Sequence, residues 1–165
     1  MHDSIGRLAV GLISLGVQRG DQVVILLKNS SEFIISFFAI TEVGAIAVPL
    51  NVHYKEQELT DYIRDSKPKV VIALRQVILL LKEVMSFMND RECAIIGVPN
   101  GKDGPFSYMR LIKEIFPLNR TINLLPDNDL LLQYSSGSTE KPKRIIRTHF
   151  NLVSEAENFC STALI

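Results

Sequence analysis

The chain has 165 residues, 47% hydrophobic and 22% charged, a globular composition that excludes general disorder. Eighteen Lys and Arg balance eighteen Asp and Glu, so no basic excess points to nucleic acid or an anionic membrane surface. Two separated cysteines, Cys93 and Cys160, and three scattered histidines exclude a disulfide framework, a CxxC metal site and an HExxH pair, and fit a reduced, cytoplasmic protein.

Residues 4–15 place Ile5, Leu8, Leu12 and Leu15 on one face of an amphipathic helix, with Asp3 or Ser4 as its cap. Gly16 closes it in a left-handed conformation. After the Arg19-Gly20-Asp21 turn, residues 23–27 form an apolar run expected of a strand buried on both faces. Asn29-Ser30-Ser31 caps a helix over 32–43, Gly44 ends it, and 45–48 is the next strand. The apolar tract 33–54 carries Glu42, Gly44, Pro49, Asn51 and His53 and changes period midway. A mid-membrane acid costs about 2.5–3.5 kcal/mol, so the tract is read as helix plus strand and no membrane span is expected. The Met1-His2-Asp3-Ser4 start lacks the basic region of a secretory signal.

The alternation continues with a helix over 56–65, a strand over 70–74, a helix over 76–88 and a strand over 94–98. Residues 99–105 read as a loop, 107–116 as a short helix and 117–128 as irregular. Strands follow at 130–134 and 145–148, and a helix begins at 151. This order predicts an α/β fold with a largely parallel sheet flanked by helices.

Residues 134–144 pack four hydroxyl residues, a glycine and two lysines between two predicted strands. Hydroxyl and backbone N–H donors beside a lysine suit a loop around phosphate oxygens. The composition fits a solvated Ser/Thr-rich hairpin loop equally well. A Walker A loop is excluded: counted from Gly137, Pro142 takes the second glycine position and Arg144 the Ser/Thr, and a strand follows rather than a helix.

The segment resembles the phosphate-binding signature of the adenylate-forming enzymes, which include acyl-CoA synthetases, coumarate-type CoA ligases, luciferases and peptide-synthetase adenylation domains. Tyr134, Ser135, Ser136, Gly137, Ser138, Thr139, Pro142 and Lys143 match without a gap, and Thr148-His149 follows at the family's distance. Gly16-Val17, Gly20-Asp21 and the 44–51 segment, Gly-Ala-Ile-Ala-Val-Pro-Leu-Asn, are similar to the family's upstream motifs. The resemblance covers nearly the whole chain and is weakest over 76–128. It implies that residues 1–165 are a partial N-terminal domain, truncated after the phosphate loop.

The resemblance further implies that Ser135, Ser136, Gly137, Ser138 and Thr139 line the β/γ-phosphate side of ATP, with Lys143 supplying charge. Magnesium would accompany the nucleotide. A carboxylic acid and a thiol, CoA or a carrier protein, would be the other partners. No catalytic acid, base or metal ligand is assigned within the chain. His149 is expected to orient a strand-to-helix turn, His53 to sit in a loop, Cys160 to be a small buried residue, and Phe33, Phe37 and Phe38 to be helix core. Glu83, Asp90 and Glu92 form no evident acid–base pair. Glu140 and Arg144 stand where the signature has glycines. Glu140 brings negative charge and removes backbone freedom, which suggests the alternative of an inactive nucleotide-binding or interaction module.

Overall fold

In a computed structural model of the protein, residues 1–87, 93–98, 108–114, 123–135 and 143–163 are described. The short apolar runs form strands with both faces covered, because successive side chains point to opposite sides of a sheet. β1 (Gln22–Leu26), β2 (Ile46–Pro49), β3 (Val70–Leu74), β4 (Ala94–Val98), β5 (Asp129–Ser135) and β6 (Lys143–Thr148) make one sheet in the order β4-β3-β1-β2-β5-β6. All neighbours are parallel except β5 and β6, which are antiparallel.

The expected alternation of helices is present: α1 (His2–Ser14), α2 (Ser31–Val43), α3 (Glu56–Ser66), α4 (Arg75–Phe87), α5 (Tyr108–Glu114) and α6 (His149–Ala163). Val23, Ile25, Val70 and Ile72 share one apolar layer with Leu8 and Leu12 of α1, Ile40 of α2 and Tyr108 of α5. Val24, Leu26, Val71 and Ala73 share the other with Leu59 and Ile63 of α3 and Leu81 and Val84 of α4. Each fully buried aliphatic side chain contributes about 1.5–3 kcal/mol of gross transfer energy. A register shift between Asp129 and Leu131 puts Leu130 and Leu131 in the first layer and returns Leu132 to the second.

Two helices end alike. Gly16 and Gly44 have φ of 84° and 79°. The Gly16 and Val17 amides donate to Ile13 and Leu12, and the Gly44 and Ala45 amides to Thr41 and Ile40. These paired bonds satisfy the last carbonyls and turn the chain toward the next strand. Ser30 caps α2 as expected, its hydroxyl accepting the Phe33 amide proton at 3.2 Å. The expected cap of α1 is not at Asp3 or Ser4: the helix starts at His2, leaving Asp3 in its first turn, where a carboxylate favours the helix dipole.

Two burial expectations are corrected by the structure. Phe33 and Phe37 pack against the first layer, but Phe38 is 50% exposed, with its ring edge-on to Phe37 at 5.6 Å. Cys160 is exposed rather than buried, because no residue of α6 is buried among the described elements. Phe150, Val153 and Phe159 of the same helix are also exposed. The expected loop over 99–105, and Asp90 and Glu92, lie outside the described residues.

Candidate functional site

The parallel strands all finish at one edge of the sheet. β5 runs parallel to β2, so Tyr134 and Ser135 reach that same carboxyl edge. From β2 the chain returns across β1 to β3, whereas from the adjacent β5 it continues outward to β6. Such reversals open a crevice at the strand carboxyl ends, where open α/β sheets bind ligands.

Ser135 pairs with Lys143 across the β5–β6 ladder, and Tyr134 with Arg144 one step earlier. Ser135 is half-buried and Lys143 exposed. Two of the six expected phosphate-site residues are therefore brought opposite each other at the strand ends. Ser136, Gly137, Ser138 and Thr139 lie outside the described residues, together with Glu140, Lys141 and Pro142.

Beneath these ends lies a polar anchor on α3. The Tyr134 hydroxyl donates to the Asp65 carboxylate at 2.6 Å. The Arg144 guanidinium nitrogen Nε lies 3.6 Å from the same Oδ2. The Tyr134 ring packs on Tyr62 at 4.6 Å, and Tyr62 stacks on Tyr54 at 4.7 Å. Burial first, then the hydrogen bond to Asp65, raise the Tyr134 phenol above its ordinary 10. Burial, with Tyr54 next, pushes Tyr62 up to about 12. Both phenols stay neutral near pH 7, so Tyr134 remains a donor to Asp65.

At the far end of β6, Thr148 caps α6. Its hydroxyl accepts the Asn151 amide proton at 3.3 Å, and the Asn151 side chain accepts the Thr148 amide proton at 3.0 Å. This is a reciprocal capping box. The His149 and Phe150 amides donate to Asn128 and Pro126, tying the helix start to the preceding turn. His149 Nε2 is buried without a hydrogen-bond partner among the described residues, and burial lowers its pKa from 6.5. His149 is the first residue of α6, directly after β6. His149 borders an open, mostly apolar groove of about 290 Å³ lined also by Leu124, Leu125, Pro126, Phe150 and Val153. His53 is an exposed loop residue whose amide donates to the Asn51 side chain.

Among the described residues no three His, Cys, Asp or Glu side chains gather to hold a metal. The loop flanks offer a hydroxyl and an ammonium, donors that suit phosphate oxygens.

A family model described as AMP-binding enzyme matches residues 1–164. The chain belongs to the AMP-binding enzyme family. As a member of that family, it is 33% identical over 152 residues to 4-coumarate–CoA ligase 3 of Arabidopsis thaliana, covering 90% of this chain and 26% of the relative. The solved anthranilate CoA ligase AuaEII in complex with anthranoyl-AMP superposes with a TM-score of 0.81 at 28% identity, covering 89% of this chain and 28% of that one. ATP-bound MatB from Rhodopseudomonas palustris superposes at 0.79 and 26% identity, covering 93% and 29%. The chain thus spans between a quarter and a third of the length of these proteins. Residues without a sequence motif also stand behind the hairpin strands. Asp65 and Tyr62 of α3 contact Tyr134 directly and Tyr54 stacks behind Tyr62, contacts set by strand order that no local sequence pattern signals. Among the described residues no helix is long and apolar enough to cross a membrane.

Proposed function

We propose that the chain is part of a cytoplasmic ATP-dependent acid–thiol ligase, and that its 134–144 segment holds the β- and γ-phosphates of ATP. In the first step a carboxylate oxygen attacks the α-phosphorus and pyrophosphate leaves, giving an acyl-adenylate. In the second a thiol sulfur, that of CoA or a carrier protein, attacks the acyl carbon and AMP leaves. Ser135, Ser136, Gly137, Ser138 and Thr139 donate hydrogen bonds to phosphate oxygens, and Lys143 supplies positive charge. None acts as nucleophile or base, so the contribution is orientation and electrostatic stabilisation. Magnesium, when bound with the nucleotide, neutralises phosphate charge. The observation that carries this reading is the pairing of Ser135 with Lys143 at the carboxyl edge of the sheet, beside a reversal of chain direction.

ATP–pyrophosphate exchange tests it. The 165-residue chain alone is expected to give no exchange above a no-protein control, because it matches only 26% of the length of the coumarate ligase and adenylating an acid also needs contacts to adenine and ribose. Grafted in place of the matching segment of 4-coumarate–CoA ligase 3, it is expected to support exchange with a carboxylic acid. A folded graft without exchange, beside an active parent ligase, overturns the ligase reading.

Glu140 favours a second reading, in which the chain binds a nucleotide or a partner without catalysis. It places negative charge in a phosphate loop at a glycine position. A graft inactive as it stands but active with Glu140→Gly supports this second reading.

A further inference from the structure

We propose that Asp65 is a positioning residue, whose carboxylate joins the two strands of the β5–β6 hairpin at their loop-proximal ends and so fixes Ser135 and Lys143 relative to the sheet. The inference rests on the phosphate reading above but concerns a residue that reading does not use.

Tyr134 and Arg144 are direct cross-strand partners. Both address one oxygen, Asp65 Oδ2, at 2.6 Å and 3.6 Å. The next pair along the ladder is Ser135 and Lys143. A single carboxylate on α3 therefore grips both strands one residue before the loop. β6 is an edge strand whose residues 143–146 are exposed, so among the described residues little apolar packing holds it there. Terminal ladder positions fray unless tied down. The Tyr54–Tyr62–Tyr134 stack sets the side from which the Tyr134 hydroxyl approaches. A charge-assisted hydrogen bond then fixes its direction. The Arg144 contact is half-exposed, so its role is secondary to that of Tyr134. Glycine at position 144 has no side chain to reach Asp65, so this second arm depends on the arginine of this chain.

The test uses the full 165-residue chain and its Asp65→Asn, Tyr134→Phe and doubly substituted forms. Amide hydrogen exchange without ligand is read at Ser135 and Lys143, with β1 and β3 amides as internal controls. Asp65→Asn is expected to speed exchange at the two flanking amides by about fivefold or more while the controls hold, on the scale of a lost charge-assisted bond. The double variant should be no faster than the faster single, since both substitutions break one contact. Binding of inorganic tripolyphosphate, followed by amide shifts, should weaken about threefold or more in either single variant. Unchanged flanking exchange, additive effects, or unaltered binding in a parent that binds overturns the positioning role. Tripolyphosphate that fails to bind the parent overturns the phosphate reading itself, and with it the purpose assigned to Asp65, while exchange still decides whether the carboxylate holds the strands. Should Asp65→Asn disturb the control amides, Tyr134→Phe decides, because it keeps the ring stack and deletes only the hydroxyl.

Discussion

The Tyr134 hydroxyl donates to Asp65 at 2.6 Å across 69 positions of sequence, joining the edge hairpin to a helix of the second apolar layer. The partners come from α3 and β5, which the chain visits far apart in order but which the β2-β5 neighbourhood brings together. A carboxylate held at a helix end and a phenol held at a strand end are each directionally restricted, so little side-chain entropy opposes the bond.

Tyr134→Phe isolates that bond. The ring contact with Tyr62 survives and only the donor is lost. A hydrogen bond to a charged group contributes about 1.5–3 kcal/mol, and the half-exposed setting reduces this to about 1 kcal/mol. The urea midpoint should fall with an unchanged slope. Tyr134→Leu should fall further, because the stack goes as well. Equal midpoints for Phe and Leu variants would show that the ring contributes nothing.

Gly44 tests the helix-to-strand turn. Its φ of 79° disfavours any side chain, and an added Cβ would lie 3.0 Å from Leu124 Cδ2 and 3.3 Å from Arg19 Cγ. The left-handed conformation alone costs about 1–2 kcal/mol for a non-glycine residue. Part of this is offset by about 0.4–1 kcal/mol from the stiffer unfolded chain. Gly44→Ala should lower the melting temperature. Gly20 has φ of 85° with nothing within 4 Å of its Cβ position, so Gly20→Ala should lower it less. Equal losses would remove the steric part of the argument.

His149 predicts a pH dependence with a definite sign. Burial lowers its folded pKa below 6.5, so the unfolded state binds the proton more readily. Stability attached to the neutral imidazole is present above the unfolded value and is lost as pH falls through the lowered folded value. Urea denaturation between about pH 5 and 7 should show stability rising with pH. His149→Leu should flatten that rise relative to the parent. The same slope in both would assign the dependence to other groups.

The two-layer alternation was legible because strands such as Val23 to Leu26 are apolar on both faces, and helices such as α1 carry their apolar residues at helical spacing. Gly16 and Gly44 marked helix ends because only that residue takes φ near 80° without strain. Cys160 departs from its expected burial, since a helix's burial depends on what covers it and not on its own residues. Asp65 was not legible as part of the site: its partner is 69 positions away, and no local pattern encodes a contact set by strand order.

The charge balance of the 134–144 segment yields the last prediction. Lys143 stands at the loop's exit, exposed and opposite Ser135. Glu140 puts a negative charge into the same short segment. Two like charges 4 Å apart repel by about 4 kcal/mol at an effective dielectric of 20, and solvent reduces this further. Glu140→Gly should therefore tighten tripolyphosphate binding, both by removing the repulsion and by restoring backbone freedom at that position. Lys143→Ala should weaken binding by about fivefold, the scale of one solvent-exposed charged contact. That loss should shrink as salt rises, because the screening length falls from about 10 Å at 0.1 M to about 3 Å at 1 M. Calorimetric titration of parent and both variants at two salt concentrations reads all three effects. Equal affinities throughout would leave the segment a remnant without a phosphate role. Tighter binding by the parent than by Glu140→Gly would mean that the carboxylate assists the anion, which at these charges requires a bridging cation, and adding and removing magnesium would then reverse the order of the two.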